Sequence, residues 1–290
     1  MPLAPFETSP TAQPIRIAGK PITRRRLIKG AALACLAVAT GDLWCERTLL
    51  DVTFHQLTLS GLRDRCRLVQ LSDLHRSWCV PEAFIADVIA RTNLLKPDVV
   101  LLTGDFVTTD SHYIESCARQ IARLRAPLGL YGILGNHDYR CDHWRGSAAV
   151  VEGLTAVHVE MLTNRNSRLD NGLRVVGVDD FRTGRPDPDR AFRGIQPGEP
   201  TIAMTHNPFM FGAMSAQDCV TLAGHTHGGQ VNVPVITPLL LRWRMRYQRG
   251  WYREPTGPGR MYVSRGLGVV GLPFRLGSYP EISVFDLSPA

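Results

Sequence analysis

A chain of 290 residues with 44% hydrophobic and 20% charged residues has the length and composition to bury a core, which excludes a disordered tail or a polytopic membrane protein. A net charge of +7 raises nucleic acid as a partner. Six cations against Glu7, however, give residues 1–30 a net of +5 and leave only +2 for the rest, so the basicity belongs to one terminal segment and argues only weakly for nucleic-acid binding.

That segment reads Thr23-Arg24-Arg25-Arg26-Leu27-Ile28-Lys29 and runs into a short apolar stretch from Gly30 to Thr40. A positive region followed by an apolar one is the layout of an export signal, and the paired arginines resemble the twin-arginine type. The stretch is short for a bilayer span. Ala37-Val38-Ala39 offers a cleavage site, with an uncleaved anchor as the alternative. Residues 1–45 are therefore expected to be a signal and linker read by twin-arginine export machinery. Residues 46–290 would then form one folded domain, in the periplasm or on the outer face of the cytoplasmic membrane. The seven cysteines contain no Cys-x-x-Cys pair, which excludes a zinc ribbon; mostly buried free thiols are expected.

From Asp51 onward short apolar runs alternate with amphipathic stretches, the pattern of mixed α/β architecture. Strands are predicted over 67–71, 99–103, 131–134, 174–178, 201–205 and 220–223. A first helix follows Pro81, with Phe84, Ile85, Val88, Ile89 and Leu95 as its apolar stripe. Further helices are predicted over 112–124 and 143–154. Five strands lead straight into polar clusters: Asp73 and His75; Gly104-Asp105; Gly135-Asn136-His137-Asp138; His206; and Gly224-His225-Thr226-His227-Gly228. In open α/β sheets sites form outside the carboxyl ends of strands, so these loops are expected to deliver Asp, Asn and His to one edge. Those are the oxygen and nitrogen ligands of divalent transition metals, and their number exceeds the needs of a single ion.

Asp73-Leu74-His75, Gly104-Asp105, Gly135-Asn136-His137-Asp138, Thr205-His206-Asn207-Pro208 and Gly224-His225-Thr226-His227-Gly228-Gly229-Gln230 appear in the order that marks the calcineurin-like metallophosphoesterase superfamily. The chain resembles its bacterial branch of exported phosphodiesterases, which includes enzymes similar to UDP-2,3-diacylglucosamine hydrolases. The resemblance covers the chain from about Phe54 to its end. It implies a four-layer α-β-β-α sandwich with a dinuclear metal site at the carboxyl ends of the strands. Asp73, His75 and His227 would hold one ion, Asn136, His206 and His225 the other, and Asp105 would bridge them. Two cations sharing one water lower its pKa and neutralise phosphoryl charge. Mn, Fe and Zn all accept this ligand set. His137 would act as general acid or cationic stabiliser, with Asp138 orienting its ring. Arg76 and Thr108 depart from the family pattern, standing where a glycine and a second Asp are common; Arg76 is a candidate contact for a substrate phosphate.

Residues 239–253 mix five arginines with four aromatics. The segment fits a phospholipid-facing surface, a clamp for a phosphate or nucleotide group, a stacking surface for single strands, or an ordinary hairpin with solvated arginines. The reading is a metal-dependent phosphoesterase acting on a phosphodiester or pyrophosphate bond of an amphiphilic or lipid-linked substrate. It admits peripheral membrane contact and expects no nucleic-acid partner. The alternatives are a nuclease or nucleotide phosphodiesterase, and a binding protein on the same fold that has lost the reaction.

Overall fold

The computed structural model describes residues 46–232, 246–255 and 257–290; the export-signal reading and residues 239–245 lie outside the described residues. Its strands are β1 (Asp51–Leu59), β2 (Cys66–Leu71), β3 (Val99–Leu102), β4 (Leu130–Gly132), β5 (Val159–Met161), β6 (Arg165–Arg168), β7 (Arg174–Gly177), β8 (Thr201–Met204), β9 (Val220–Ala223), β10 (Gly250–Arg253), β11 (Arg260–Val263) and β12 (Glu281–Pro289). They form two six-stranded sheets, ordered β1-β12-β2-β3-β4-β5 and β10-β11-β9-β8-β7-β6.

Alternation along each strand decides how the layers stack. Leu68, Val99 and Leu101 of the first sheet meet Val175, Ile202, Met204, Val220 and Leu222 of the second in one shared core. The intervening Val69, Leu71, Val100 and Leu102 face the other way, onto helices. Those helices are α1 (Glu82–Leu94), α2 (Ile114–Ile121), α3 (Asn136–Trp144) and α4 (Ser147–Thr155). They contribute Ile85, Val88, Ile89, Cys117, Ile121, Cys141, Val150 and Leu154. Two short helices, α5 (Pro188–Ala191) and α6 (Phe211–Met214), place Ala191 and Met214 against Val176 and Ala203 on the reverse face of the second sheet. The layer order is therefore α-β-β-α. No helix among the described residues is long and apolar enough to cross a membrane. The five described cysteines are free thiols, four of them buried.

Several elements differ from the sequence reading. The helix predicted over 112–124 begins as a 3-10 turn over Ser111–Tyr113, capped by Asp110, whose carboxylate accepts the His112 N–H at 2.8 Å. The helix predicted over 143–154 starts only at Ser147. Before it, α3 breaks where Asp142 and His143 turn to φ of 49° and 53°. Tertiary contacts cause the break: the Asp142 N–H donates to the Thr109 carbonyl, and its carboxylate accepts the Ser111 N–H. The sequence reading lacked β1 and β12, a nine-residue parallel pair in which the C-terminal strand inserts between β1 and β2. The described end of the arginine-aromatic segment is β10, an edge strand antiparallel to β11.

One buried acid ties these late elements together. Glu281, at the start of β12, accepts hydrogen bonds from Thr53 Oγ1 on β1 (2.6 Å), from the Tyr262 hydroxyl on β11, and from Arg265 Nε (2.8 Å). Burial opposes its charge, but Arg265 overrides burial and holds its pKa below the ordinary glutamate range. Glu281→Ala leaves Arg265 only Asp51, 2.7 Å from its Nη2, and frees the Tyr262 hydroxyl, so it should lower unfolding stability by about 1–3 kcal/mol, read from the urea midpoint. Because the folded-state pKa is depressed, the wild-type advantage should be complete above the ordinary glutamate pKa and vanish as pH falls through the depressed value.

Candidate metal centre

β2, β3 and β4 of one sheet and β8 and β9 of the other end at the same edge, where their loops bond to one another. The Asp73 N–H donates to the Gly104 carbonyl at 3.0 Å and the His75 N–H to the Asp105 carbonyl at 2.9 Å. The His137 N–H donates to Asp105 Oδ1 at 2.7 Å. Across the sheets, the His225 N–H donates to the Asp73 carboxylate at 3.0 Å. Turning side chains inward this abruptly requires unusual backbone: Asp73, His75, Asp105, His225 and His227 all have left-handed φ, between 47° and 72°. Each such residue costs about 1 kcal/mol or more, a strain that concentrates at functional sites. Glycine is needed where the loops touch. At Gly104, whose φ is +90°, a Cβ would lie 2.6 Å from the Gly135 nitrogen.

The inward side chains form two groups. In each group the ligand-type atoms lie within 4.8 Å of one another: Asp73, His75 and His227 in one, Asp105, His206 and His225 in the other. His75 Nε2 and His227 Nε2 are 3.1 Å apart, and Asp73 Oδ1 is 3.4 Å from His227 Nε2. In the second group His206 Nε2 lies 3.1 Å from Asp105 Oδ2, 3.2 Å from Asn136 Oδ1 and 3.3 Å from His225 Nδ1. Asp105 Oδ2 also lies 3.4 Å from His75 Nε2, so one carboxylate faces both groups. All seven residues singled out as metal ligands thus converge. The fit to cations is chemical: nitrogen lone pairs and carboxylate oxygens this close repel unless something positive lies among them, and the set is one that divalent transition metals favour.

Burial drives His75 down to about 3 and His225 to about 4, and it pushes His227 well below its ordinary value. All three therefore present the neutral imidazole that coordinates metal. His206 goes the other way. Burial lowers it, but the charge and hydrogen bond of Asp105 outweigh burial and raise it to about 10. Its Nδ1–H donates to the Thr103 carbonyl at 2.8 Å, which aims Nε2 at the centre. A cation and a proton therefore compete for His206 Nε2.

His137 stands beside this centre, its ring edge-on to His75 with centroids 4.9 Å apart. Asp138 does not orient it. The carboxylate of Asp138 accepts backbone N–H bonds from Gly135, Asp105, Phe106 and Val107, at 2.8 to 3.2 Å. It ties the third loop to the second instead. The His137 ring is held by the Thr108 carbonyl, which its Nδ1–H reaches at 2.8 Å, while Thr108 Oγ1 lies 3.3 Å from His75 Nδ1. Arg76 is likewise turned into its own loop: Nη1 donates to the Ser77 and Val80 carbonyls, and the guanidinium lies over the Tyr113 ring at 4.8 Å. Sequence reasoning missed the carbonyls of Thr103 and Thr108, which carry no side-chain signal. It also missed Arg275, wholly buried, which donates to the Gly268 and Arg265 carbonyls and lies 3.3 Å from His227 Nδ1.

Two outcomes follow from this geometry. Gly104→Ala should abolish metal loading, measured by metal analysis of the purified protein, because the added methyl drives the Asp105 and Asn136 loops apart. Manganese uptake should release protons and strengthen with pH between about pH 6 and pH 9, by up to about tenfold per unit for one proton displaced from His206. Calorimetry in buffers of different ionisation enthalpy measures the proton count, which should fall in His206→Gln.

Comparison with known proteins agrees with this picture. The family model for calcineurin-like phosphoesterases matches residues 66–229. The chain is 30% identical over 288 residues to the metallophosphoesterase YkuE of Bacillus subtilis, covering 92% of this chain and 98% of that protein. It is 28% identical over 257 residues to the UDP-2,3-diacylglucosamine pyrophosphatase LpxG of Chlamydia trachomatis (70% and 78% covered). It is 29% identical over 279 residues to the phosphodiesterase YaeI of Escherichia coli (92% and 99%). Two further relatives are longer, and the chain spans 57% and 62% of their length. Strand ends that gather aspartate, asparagine and histidine into two adjoining groups, together with these matches, make this chain a member of the calcineurin-like metallophosphoesterase family, a hydrolase of phosphoesters.

Proposed function

We propose that the protein hydrolyses a phosphodiester or pyrophosphate bond in an amphiphilic, lipid-linked substrate, using two divalent cations. The observation that carries the dinuclear reading is the Asp105 carboxylate, whose Oδ2 faces His206 at 3.1 Å and His75 at 3.4 Å. Asp73, His75 and His227 would hold one ion and Asn136, His206 and His225 the other, with the Asp105 carboxylate facing both groups. Bound there, the ions supply Lewis acidity, which activates water for attack on phosphorus and screens charge on the phosphoryl oxygens.

The remaining work falls to the chain. Thr103 and Thr108 fix two imidazoles by their Nδ1–H bonds, so each ring meets the centre through Nε2 alone. His137 is partly exposed, and with Nδ1 committed to Thr108 its Nε2 is the nitrogen that reaches the leaving oxygen. Protonated there, it delivers a proton as that oxygen departs and stabilises the charge that develops on it. Similarity to a relative named as a UDP-2,3-diacylglucosamine pyrophosphatase supports the lipid-linked choice, and the signal-like arginine segment supports action outside the cytoplasm.

The deciding experiment compares turnover of a diacylated sugar nucleotide, a soluble aryl phosphodiester and an oligonucleotide by manganese-loaded protein. Preference for the lipid-linked pyrophosphate is expected; preference for the oligonucleotide would overturn the reading. His137→Gln should retain its metals while kcat drops by about 10²–10⁴. Asp105→Asn should lose metal and activity together.

A further inference from the structure

Ten large hydrophobic side chains are exposed among the described residues, and their placement is uneven. Six of them, Trp78, Trp144, Phe181, Phe209, Leu272 and Tyr279, lie on the loops and short helices that follow the strands ending at the metal centre, or on the loop bonded to them. Trp78 follows His75 by three residues, and Phe209 follows His206 by three. Trp144 ends the helix that Asn136 begins. Phe181 lies just beyond β7, whose neighbour β8 runs parallel to it and leads to His206. Leu272 and Tyr279 belong to the loop whose Leu267 and Gly268 N–H groups donate to the Ser72 and Asp73 carbonyls. Trp78 is 78% exposed and Trp144 62%. Single exposed apolar residues need no explanation, but a set on these connected segments does.

Exposed charge on the same loops is weighted towards arginine. Arg140, Arg145, Arg182 and Arg185 are exposed. Arg140 lies over the Trp144 ring, 5.6 Å from its centroid. Three neighbouring acids turn inward: Asp142 accepts the Ser111 N–H, Asp179 the Tyr139 hydroxyl and the Arg185 N–H, and Asp180 the Arg182 and Thr183 N–H groups; Asp110 and Asp187 are exposed. Interleaved aromatics and outward arginines match the chemistry of a headgroup layer, where rings sit at the apolar boundary and guanidinium groups meet phosphates.

We propose that this rim seats the protein on an anionic phospholipid bilayer with the metal centre facing the headgroups, so that its substrate is reached from the membrane surface. The proposal rests on the lipid-linked reading given under the proposed function. The test uses the full chain, so that the basic N-terminal segment contributes equally to every variant. Co-sedimentation is measured with phosphatidylglycerol-containing vesicles and with pure phosphatidylcholine vesicles, at low and high salt. Wild type should favour the anionic vesicles. Trp78→Ser/Trp144→Ser/Phe181→Ser should bind them about tenfold or more weakly, with thermal midpoint and turnover of a soluble aryl phosphodiester unchanged. Arg140→Gln/Arg182→Gln/Arg185→Gln should reduce the preference for anionic lipid to that left by the N-terminal segment. Wild type without that preference, or an aromatic variant that binds as wild type does, overturns the docking proposal even where the soluble diester is still hydrolysed. Failure of wild type to hydrolyse the soluble diester overturns the catalytic reading instead, and the vesicle result still decides docking.

Discussion

The structure depends on one constraint: carboxylates and imidazoles from five loops must share a small volume, with Asp105 facing both groups. Nothing about a strand end aims a side chain at such a point. The chain achieves it by taking left-handed backbone at Asp73, His75, Asp105, His225 and His227, conformations that non-glycine residues avoid. Backbone bonds between the loops hold those turns in place. Asp138 is the strongest of these clamps, since its carboxylate gathers N–H groups from both the Asp105 and Gly135 loops.

Electrostatics follow from the same crowding. Asp73, Asp105 and Asp138 are buried within one neighbourhood, and burial alone opposes charge on all three. The histidines relieve that opposition unequally. Asp105 is held well below the ordinary carboxylate range because His206 outweighs its burial, whereas Asp73 and Asp138 are pushed upward, Asp138 to about 7. Divalent cations would supply the positive charge that such a cluster calls for, and so the same residues that strain the fold are those placed to hold metal.

Support for the centre comes from chain segments far away in sequence. The loop from Ser264 to Pro280 bonds Ser72, Asp73 and His227 through Leu267, Gly268 and Ser278. It is anchored by β12, which enters the first sheet between β1 and β2. The end of the chain therefore completes the site that its middle begins, and Glu281 couples that closure to both sheets. The exposed aromatics and arginines stand on segments that follow the same strand ends.

By itself the sequence determined the mixed α/β class, six central strands and the residues that converge at the candidate metal centre. Each of these signals is local: apolar runs of strand length, and polar clusters just beyond them. It misjudged Asp138 and Arg76, because adjacency in sequence says nothing about where a side chain turns once its loop leaves the strand. Tertiary structure alone decided the parallel pairing of β1 with β12, the break at Asp142, and the use of the Thr103 and Thr108 carbonyls and of Arg275. Those depend on contacts between segments distant along the chain, or on backbone groups that every residue possesses. No residue type announces them, and only the folded packing selects which are used.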